Sequence, residues 1–310
     1  MKFSHFSYCN IQLWYYYTQL MANKQISISI FFPFLNDWGT VGSLITLSIA
    51  TAEKYTDDWE VILVDDGSSP KNREALITIV NTINQKNALR HLASRLSYLT
   101  PNKIRIIHHE KNTGYGGALR DGFNHASKDL VFYTDCDAQY DPRELSLLLD
   151  EYQRHSEAEL AEAEESRAKL NSNGILPQRT GIRMTHSLLG MVNGYKIKRN
   201  DPWYRTVMGR MYHHIVKYAF KLPIRDTDCD FRLIKKEALE RIHLHENTGT
   251  ICTELVKKID QAGFLIREVP VHHYWRTSGK SQFFNFKRLL ATGKNLFLLW
   301  WRLMVRKKFN

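Results

Sequence analysis

The chain alternates short apolar segments with stretches that carry apolar residues at helical spacing, and this alternation most narrows the folds open to it. β-branched and aromatic residues fill the short segments, as is typical of buried strands. Because parallel strands need a helical crossover, the order predicts an α/β fold with an open, mainly parallel sheet and helices on both faces. The predicted strands are residues 26–32, 59–64, 103–108 and 130–134. The predicted helices are 41–55, a stretch from about 72 that 89–99 extends, and 116–126.

The second half of the chain is less regular. Residues 153–169 are rich in Ala, Glu and charge, which predicts a solvated helix or a mobile insertion over 153–180 that decorates the surface. Further helices are predicted at 203–221, 239–243 and 254–262, and a strand at 264–269. The expected organisation is an N-terminal extension at 1–24, a domain at 25–282 and a basic, aromatic, amphipathic helix at 283–310.

Acidic pairs follow two of the predicted strands. Asp65 and Asp66 follow the strand at 59–64, and Asp135 and Asp137 follow the strand at 130–134. In open α/β sheets, ligands bind at the carboxyl ends of the strands, so both pairs are candidate site residues. Two carboxylates as close as Asp135 and Asp137 stay ionised most easily beside a cation, which indicates a hard divalent ion with oxygen ligands.

Each of these clusters also has an interpretation without a ligand. Residues 135–139 suit a polar strand end before a helix start, and residues 65–68 suit a turn with a helix cap. The glycines within 112–120 permit close approach of a ligand or of another part of the chain. Their GxGG spacing does not match the dinucleotide-binding fingerprint.

The formal net charge of +11 indicates anionic partners, and its distribution decides among them. Beyond Glu268 the chain has nine Lys and Arg and no acidic residue, and the basic residues lie beside Trp and Phe. This pattern favours an anionic membrane surface and counts against nucleic acid as a partner. No apolar run reaches the roughly 20 residues that span a bilayer, so a peripheral position is expected.

The chain has four cysteines, and their spacing contains neither a CxxC pair nor a zinc-binding pattern. They are expected to be reduced and partly buried, which favours a cytoplasmic protein. Combined with the basic C-terminal segment, this predicts a protein on the cytoplasmic face of a membrane. The four are Cys9, Cys136, Cys229 and Cys252.

Seven motifs occur in the order FPFLND, VDDGS, NTGYGGALRDG, DCDAQ, NGYKIKR, DTDCDFR and EVPVHHYWRTSGKS. In this combination the chain resembles the family 2 glycosyltransferases of GT-A fold, and most closely their polyprenyl-phosphate sugar synthases, the dolichyl-phosphate mannose synthase-like branch. The resemblance covers roughly residues 26–283. It implies an inverting, metal-dependent enzyme that moves a sugar from a UDP- or GDP-linked donor to a polyprenyl phosphate, and it leaves homo-oligomer formation open.

The resemblance also implies the donor-side residues. Asp135, Asp137 and Gln139 match the group that holds Mg²⁺ or Mn²⁺ and the diphosphate. A late loop that closes over the diphosphate departs from the family pattern, because Gln282 stands where relatives usually have Lys; Lys280 is the expected substitute. The other matches are Pro33, Asn36, Asp37, Asp65, Asp66, Gly116, Arg276 and Ser281.

On the acceptor side, basic residues are expected to hold the acceptor phosphate: Lys196, Lys198, Arg199 and Arg210. A phosphate is ionised at neutral pH and needs positioning rather than a general base. The expected catalytic residues are therefore Asp137, Lys196, Arg210 and Arg276. Two alternatives stay open. A glycan or other hydroxyl acceptor would need a base, for which the candidates are Asp226, Asp228 and Asp230. A non-catalytic, membrane-associated module that binds nucleotide-sugars is the other.

Overall fold

The computed structural model describes residues 26–93, 103–173, 188–197, 203–276 and 286–307. The predicted N-terminal extension lies outside these residues, and so does Cys9. The end of the predicted insertion and both ends of the predicted C-terminal helix also lie outside them.

In the described residues, seven strands form one sheet in the order β3-β2-β1-β4-β6-β5-β7. β6 runs antiparallel to β4 and β5, whereas the other neighbouring pairs are parallel. The predicted mainly parallel sheet is confirmed, and the carboxyl ends of every strand but β6 lie along one edge. The strands are β1 Ile28–Phe34, β2 Trp59–Asp65, β3 Ile104–His108, β4 Leu130–Thr134, β5 Leu189–Lys196, β6 Phe231–Lys235 and β7 Leu265–Val271.

Helices follow most strands and cover the sheet. A 3-10 turn at Pro142–Glu144 precedes the longest of them, and a π-helical turn at Trp301–Val305 continues the last. The helices are α1 Trp38–Ala52, α2 Pro70–Ala93, α3 Tyr115–His125, α4 Leu145–Asn173, α5 Trp203–Phe220, α6 Lys236–Glu240, α7 Ile251–Gln261 and α8 Phe286–Trp300.

The alternation of side chains along β1 explains the two-sided core. Ile30 and Phe32 contact the cluster that α1, α2 and α4 cover. Phe31 points the other way, into the cluster that α3, α5, α7 and α8 cover. Successive strand residues face opposite sides of a sheet, so a strand buried on both faces is apolar throughout, which is the pattern that made β1 predictable.

Two parts of the second half differ from the prediction, whereas the predicted solvated helix is present as part of a longer one. β5 and β6 were not predicted, because β5 contains Gly190, Asn193 and Gly194, residue types that strands usually disfavour. The helix predicted at 239–243 is wrong in position, since the helical turn begins directly after β6 and ends at Glu240. The Ala- and Glu-rich stretch forms the outer part of α4, which begins at Leu145 on the core.

The C-terminal helix α8 packs on the domain along one side. Leu299 and Leu303 are fully buried, and the Trp300 indole nitrogen donates to the Ala219 carbonyl of α5 at 3.0 Å. The opposite side of α8 stays exposed, as with Phe297. In the described part of the chain, no helix combines the length and the apolar character needed to cross a bilayer.

Candidate active site

A cluster of acids lies at the carboxyl edge of the sheet. Asp135 and Asp137 follow β4, and Asp37 follows the neighbouring strand β1. Burial raises the pKa of Asp135 well above its ordinary value, and the carboxylates of Asp230 and Asp137 raise it further. Burial also raises the pKa of Asp137 and of Asp37, although Arg276 opposes both shifts. The cluster therefore carries more acidic groups than its neighbouring positive charge offsets, a condition that a bound cation would relieve.

Arg276 supplies one positive charge to this cluster. Its Nη2 lies 2.6 Å from Asp137 Oδ2. The segment after β7 reaches the acids because it is fastened to the turn after β4: the Tyr274 N–H donates to the Gln139 carbonyl at 2.8 Å, and Gln139 Nε2 donates back to the Tyr274 carbonyl at 3.2 Å. The structure thus brings the predicted Arg276 and Asp137 together across 139 positions of sequence.

Asp135 and Asp137 fit a divalent cation only if a ligand completes the coordination. Among the described residues, no three His, Cys, Asp or Glu side chains form a metal-binding group. From those residues Asp135 accepts one hydrogen bond, from the Tyr115 hydroxyl at 2.8 Å, and Asp137 accepts two, from Arg276 and the Gln139 N–H. A carboxylate has about four acceptor positions, so both keep lone pairs that could hold a divalent cation, whose other ligands would have to come from a bound donor or water.

The loop after β1 is fastened to the loop after β2. Asn36 has φ 63°, a left-handed conformation that Asn tolerates better than most residues. Its N–H donates to Ser68 Oγ at 3.0 Å, and its side-chain oxygen accepts from Ser69 N at 3.0 Å and from Asn72 Nδ2 at 2.7 Å. Pro33 lies within β1, half-buried. These hydrogen bonds hold the two loops, which contain several of the predicted donor-side residues, against each other.

Asp65 is fully buried at the end of β2 and holds neighbouring groups in place. It accepts hydrogen bonds from Ser68 N and Arg73 Nε and pairs with His108 Nδ1, each at 2.9 Å. Burial alone would raise the pKa of Asp65, but these contacts hold it below its ordinary value. The interpretation of residues 65–68 as a turn with a helix cap explains these contacts, and the donor-binding role of Asp65 stays a prediction.

Asp66 organises the glycine-rich segment. Its carboxylate accepts from Thr113 N at 2.7 Å, Thr113 Oγ1 at 2.8 Å and Gly114 N at 3.0 Å, and it pairs with His109 Nδ1 at 2.8 Å. The backbone of residues 112–114 is thereby fixed against the end of β2.

The glycines of this segment are required by another part of the chain. Gly116 N donates to the Asn247 carbonyl at 3.0 Å. A Cβ at Gly116 would overlap the Glu246 carbonyl, and a Cβ at Gly114, which has φ 87°, would overlap that of Asn247. The sequence left open whether the glycines allow a ligand or another part of the chain to approach closely. At Gly116 the backbone of residues 246–247 explains why there is no room for a side chain, and the donor-binding role of Gly116 stays a prediction.

Lys196 ends β5 and is buried against the loop before β6. Its ammonium donates to the Asp228 carbonyl at 2.6 Å and lies 3.8 Å from Asp226 Oδ2. The structure therefore places Lys196 at the site edge with its charge already in contact with that loop. Lys198, Arg199, Lys280 and Ser281 lie outside the described residues. Arg210 lies on α5, and its side chain is outside the description as well.

Arg232, on β6, holds the same loop from the interior of the protein. It is fully buried and donates to four groups: Asn193 Oδ1 at 2.8 Å, the Cys229 carbonyl at 3.0 Å, the Tyr133 hydroxyl at 3.0 Å and the Thr227 carbonyl at 2.7 Å. The motif DTDCDFR contains this arginine, and the hydrogen bonds of Arg232 connect residues of this motif to β4 and β5.

Two contacts of the site were not expected from sequence. Tyr115 lies between two glycines, where its hydroxyl reaches Asp135. Arg302, on the π-helical turn after α8, reaches two glutamates behind the glycine-rich segment. The sequence does show that Tyr115 lies within a glycine run and that Arg302 lies in a helix without acidic residues. Neither pattern indicates which residue the side chain contacts.

The model of the family described as Glycosyl transferase family 2 matches residues 29–243, more than half of the chain. The chain belongs to glycosyl transferase family 2. The family predicted from the seven motifs is therefore confirmed, whereas the match does not select the polyprenyl-phosphate branch. Glycosyltransferase AglD of Haloferax volcanii is 25% identical over 289 residues, which cover 92% of this chain and 39% of AglD. The chain thus spans about two fifths of the length of that relative, 39%.

Solved structures of glucosyl-3-phosphoglycerate synthase from Mycobacterium tuberculosis are similar to this family 2 chain. A complex with phosphoglyceric acid has a TM-score of 0.52 at 16% identity and covers 89% of this chain and 79% of that one. A complex with Mn²⁺, UDP-glucose and phosphoglyceric acid has a TM-score of 0.53 at 15% identity, with the same coverage of 89% and 79%. At this identity the likeness shows the fold, and the predicted GT-A fold is confirmed.

Proposed function

We propose that this family 2 chain is an inverting glycosyltransferase that moves a sugar from a nucleotide-diphosphate sugar to a polyprenyl phosphate, with a divalent cation at Asp135 and Asp137. The observation that carries the donor side is the acid cluster beside Arg276, in which burial raises the pKa of Asp135 and of Asp137 and the carboxylate of Asp230 raises both further. A similar structure holds Mn²⁺ and UDP-glucose together, which supports the same combination here.

The reaction follows from charge. An acceptor phosphate oxygen forms the new bond to the anomeric carbon while the bond from that carbon to the nucleotide diphosphate breaks. Asp135 and Asp137 would hold Mg²⁺ or Mn²⁺, which would supply positive charge to offset the negative charge of the departing diphosphate. Arg276, held at the cluster by the pairing of Tyr274 with Gln139, adds a preorganised positive charge. Tyr115 holds Asp135 by its hydroxyl.

The contacts of two of the three candidate bases, Asp226 and Asp230, favour an acceptor that arrives already ionised. Asp226 accepts from the N–H groups of Asp228 at 3.1 Å and Lys196 at 3.3 Å. Asp230 accepts from Cys252 Sγ at 3.1 Å and lies 3.5 Å from the Tyr133 hydroxyl. Carboxylates that serve such structural contacts are poor candidates for abstracting a proton from a hydroxyl acceptor, whereas a phosphate needs no such step.

An exposed apolar surface supports a lipid acceptor. We name it the α5–α8 face, and it consists of Met211, Ile215, Tyr218, Phe297, Leu298 and Trp301. The α5 residues have the spacing of one helical face, and α5 touches α8 where Trp300 donates to Ala219. Residues 203–220 and 286–307 contain no acid. Apolar and aromatic side chains among basic residues suit the headgroup region of an anionic leaflet. Buried free thiols at Cys136, Cys229 and Cys252 fit a peripheral position on the cytoplasmic face.

A panel of labelled UDP- and GDP-sugars tests the proposal, with vesicles that contain polyprenyl phosphate. We expect one donor to label the extracted lipid phosphate in Mg²⁺ or Mn²⁺. Vesicles that contain polyprenol, which lacks the phosphate, are the control and should stay unlabelled. Labelled polyprenol or glycan would contradict the phosphate acceptor and favour a hydroxyl acceptor. Nucleotide binding without turnover of any donor would favour a non-catalytic module.

Vesicle flotation tests the α5–α8 face. The double substitution Phe297→Ser and Trp301→Ser should reduce partitioning onto anionic vesicles by roughly 10²- to 10⁴-fold, because each buried aromatic side chain contributes about 1.5–3 kcal/mol. Ile77→Ser, at an exposed apolar position on α2, is the control and should float like the unsubstituted protein. Equal flotation of the double variant would show that this face does not bind the membrane.

A further inference from the structure

The hydroxyl of Tyr115 links the glycine-rich segment to the acid cluster. Tyr115 is the first residue of α3, between Gly114 and Gly116, and it donates to Asp135 Oδ1 at 2.8 Å. Hydrogen bonds to carboxylates are among the stronger ones in proteins. The position of the Asp135 carboxylate therefore depends on where the glycine-rich segment holds this ring.

The glycine-rich segment is held in turn by the 245–247 segment. Gly116 N donates to the Asn247 carbonyl at 3.0 Å, and Arg120 Nη1 donates to the Glu246 carbonyl at 2.5 Å. Arg120 also bonds the side chain of Asn247. Because the two backbones touch at Gly116, with no space for a Cβ, a shift of the 245–247 segment moves Tyr115 as well.

A fully buried carboxylate fixes the 245–247 segment. Glu254 Oε2 accepts from the N–H groups of His245 and Glu246, each at 2.9 Å. Its other oxygen lies 3.2 Å from Lys258 Nζ. Breaking a buried charge contact of this kind costs much more than breaking an exposed one.

Arg302 joins this network from the C-terminal helix. Its Nη2 lies 2.9 Å from Glu254 Oε1 and 3.0 Å from Glu246 Oε1, so one guanidinium bridges the two acids. Leu299 and Leu303, fully buried on the same side, seat the helix at this point. The exposed side of the same helix contributes Phe297 and Trp301 to the α5–α8 face.

We infer that Arg302 and Tyr115 are positioning residues on one route that couples the seating of the C-terminal helix to the donor site at Asp135. The inference rests on the proposed donor role of Asp135. The route runs from Arg302 through Glu246 to the backbone of the glycine-rich segment and on to the Tyr115 hydroxyl. A helix that packs on the domain with one side and faces the membrane with the other thereby influences how tightly the donor is held.

Calorimetric titration of UDP and of GDP, each with Mn²⁺ and without membrane or acceptor, measures this coupling. Arg302→Gln and Tyr115→Phe should each weaken nucleotide affinity about ten-fold, since each removes a hydrogen bond to a carboxylate. If both lie on one route, the double variant should also be about ten-fold weaker rather than a hundred-fold. Arg306→Gln, the same change at an exposed position on the same segment, should bind within about two-fold of the unsubstituted protein.

Hydrogen exchange distinguishes coupling between the two sites from a purely structural role of Arg302 and Tyr115. Coupling is reciprocal, so UDP with Mn²⁺ should slow amide exchange at residues 245–247 and 299–303. This protection should be lost in Tyr115→Phe. Where Arg302→Gln lowers the melting temperature below the assay range, Arg302→Lys replaces it; one ammonium in place of the guanidinium fork should give a smaller but measurable loss of affinity.

Three outcomes would overturn the inference: folded Arg302 variants with unchanged affinity, additive effects in the double variant, or no nucleotide-dependent protection at 299–303. In each of these the unsubstituted protein still binds nucleotide, so the proposed function stands. If the unsubstituted protein binds neither UDP nor GDP with Mn²⁺, the proposed function and the inference fail together.

Discussion

Asp137→Asn is expected to reduce sugar transfer about a thousand-fold while the protein stays folded. The substitution keeps the shape of the side chain but removes a charge that Arg276 contacts and that the proposed divalent cation would share, and electrostatic contacts of this kind are worth about 10²–10³-fold in rate. Because burial and neighbouring acids raise the pKa of Asp137, its charge is unfavourable in the absence of a cation. The free energy of unfolding of the metal-free variant should therefore be equal to, or above, that of the unsubstituted protein.

Steady-state turnover with and without a chelator, together with urea denaturation, measures both effects. The unsubstituted protein should lose activity in the chelator and regain it with Mg²⁺ or Mn²⁺. Asp141→Asn is the control, because Asp141 lies on the same segment but caps the turn at Pro142–Glu144; its turnover should change by less than about two-fold. Full activity of Asp137→Asn, or of the unsubstituted protein in chelator, would contradict the assignment.

The first half of the sheet could be predicted because burial on both faces leaves a clear pattern. β4 has the predicted bounds, and β2 ends only one residue later than predicted, since both are mostly apolar and an acid marks the end of each. β5 has no such pattern. Its Asn193 is fully buried, and it is satisfied there by Arg232, a partner that lies 39 positions away. A local pattern cannot show that such a polar residue belongs in a strand.

The site was predictable in its residues but not in its contacts. Strand ends and the family resemblance placed Asp135, Asp137 and Arg276 in one site, and the structure brings these three together. The glycines could not be assigned, because a small side chain is required equally by a ligand and by the backbone of Asn247. The amphipathic pattern of the C-terminal helix likewise predicted two faces, but it did not show which face packs on the domain. In the structure that face is the one with Leu299.

Arg232→Met is expected to lower the free energy of unfolding by about 3 kcal/mol. Replacing buried charged pairs by apolar residues of similar volume is often neutral, because both charges disappear together. Here the partners are neutral and stay behind: the carbonyls of Cys229 and Thr227 and the Tyr133 hydroxyl would remain buried with a donor removed. Each unsatisfied polar group costs about 1–3 kcal/mol, which outweighs the relief of burying no charge.

Urea denaturation of Arg232→Met against Arg225→Met decides between these effects. Arg225 pairs with Glu268 at 3.9 Å but is 72% exposed, so its loss should cost no more than about 1 kcal/mol. Arg232 also holds the loop of Asp226 and Asp228 against Lys196, so its substitution should weaken sugar transfer beyond what the loss of folded protein explains. If the two variants unfold at the same urea concentration, the guanidinium of Arg232 does not hold this loop in place. The contacts of Lys196 with the loop would then depend on Asp226 and Asp228 alone.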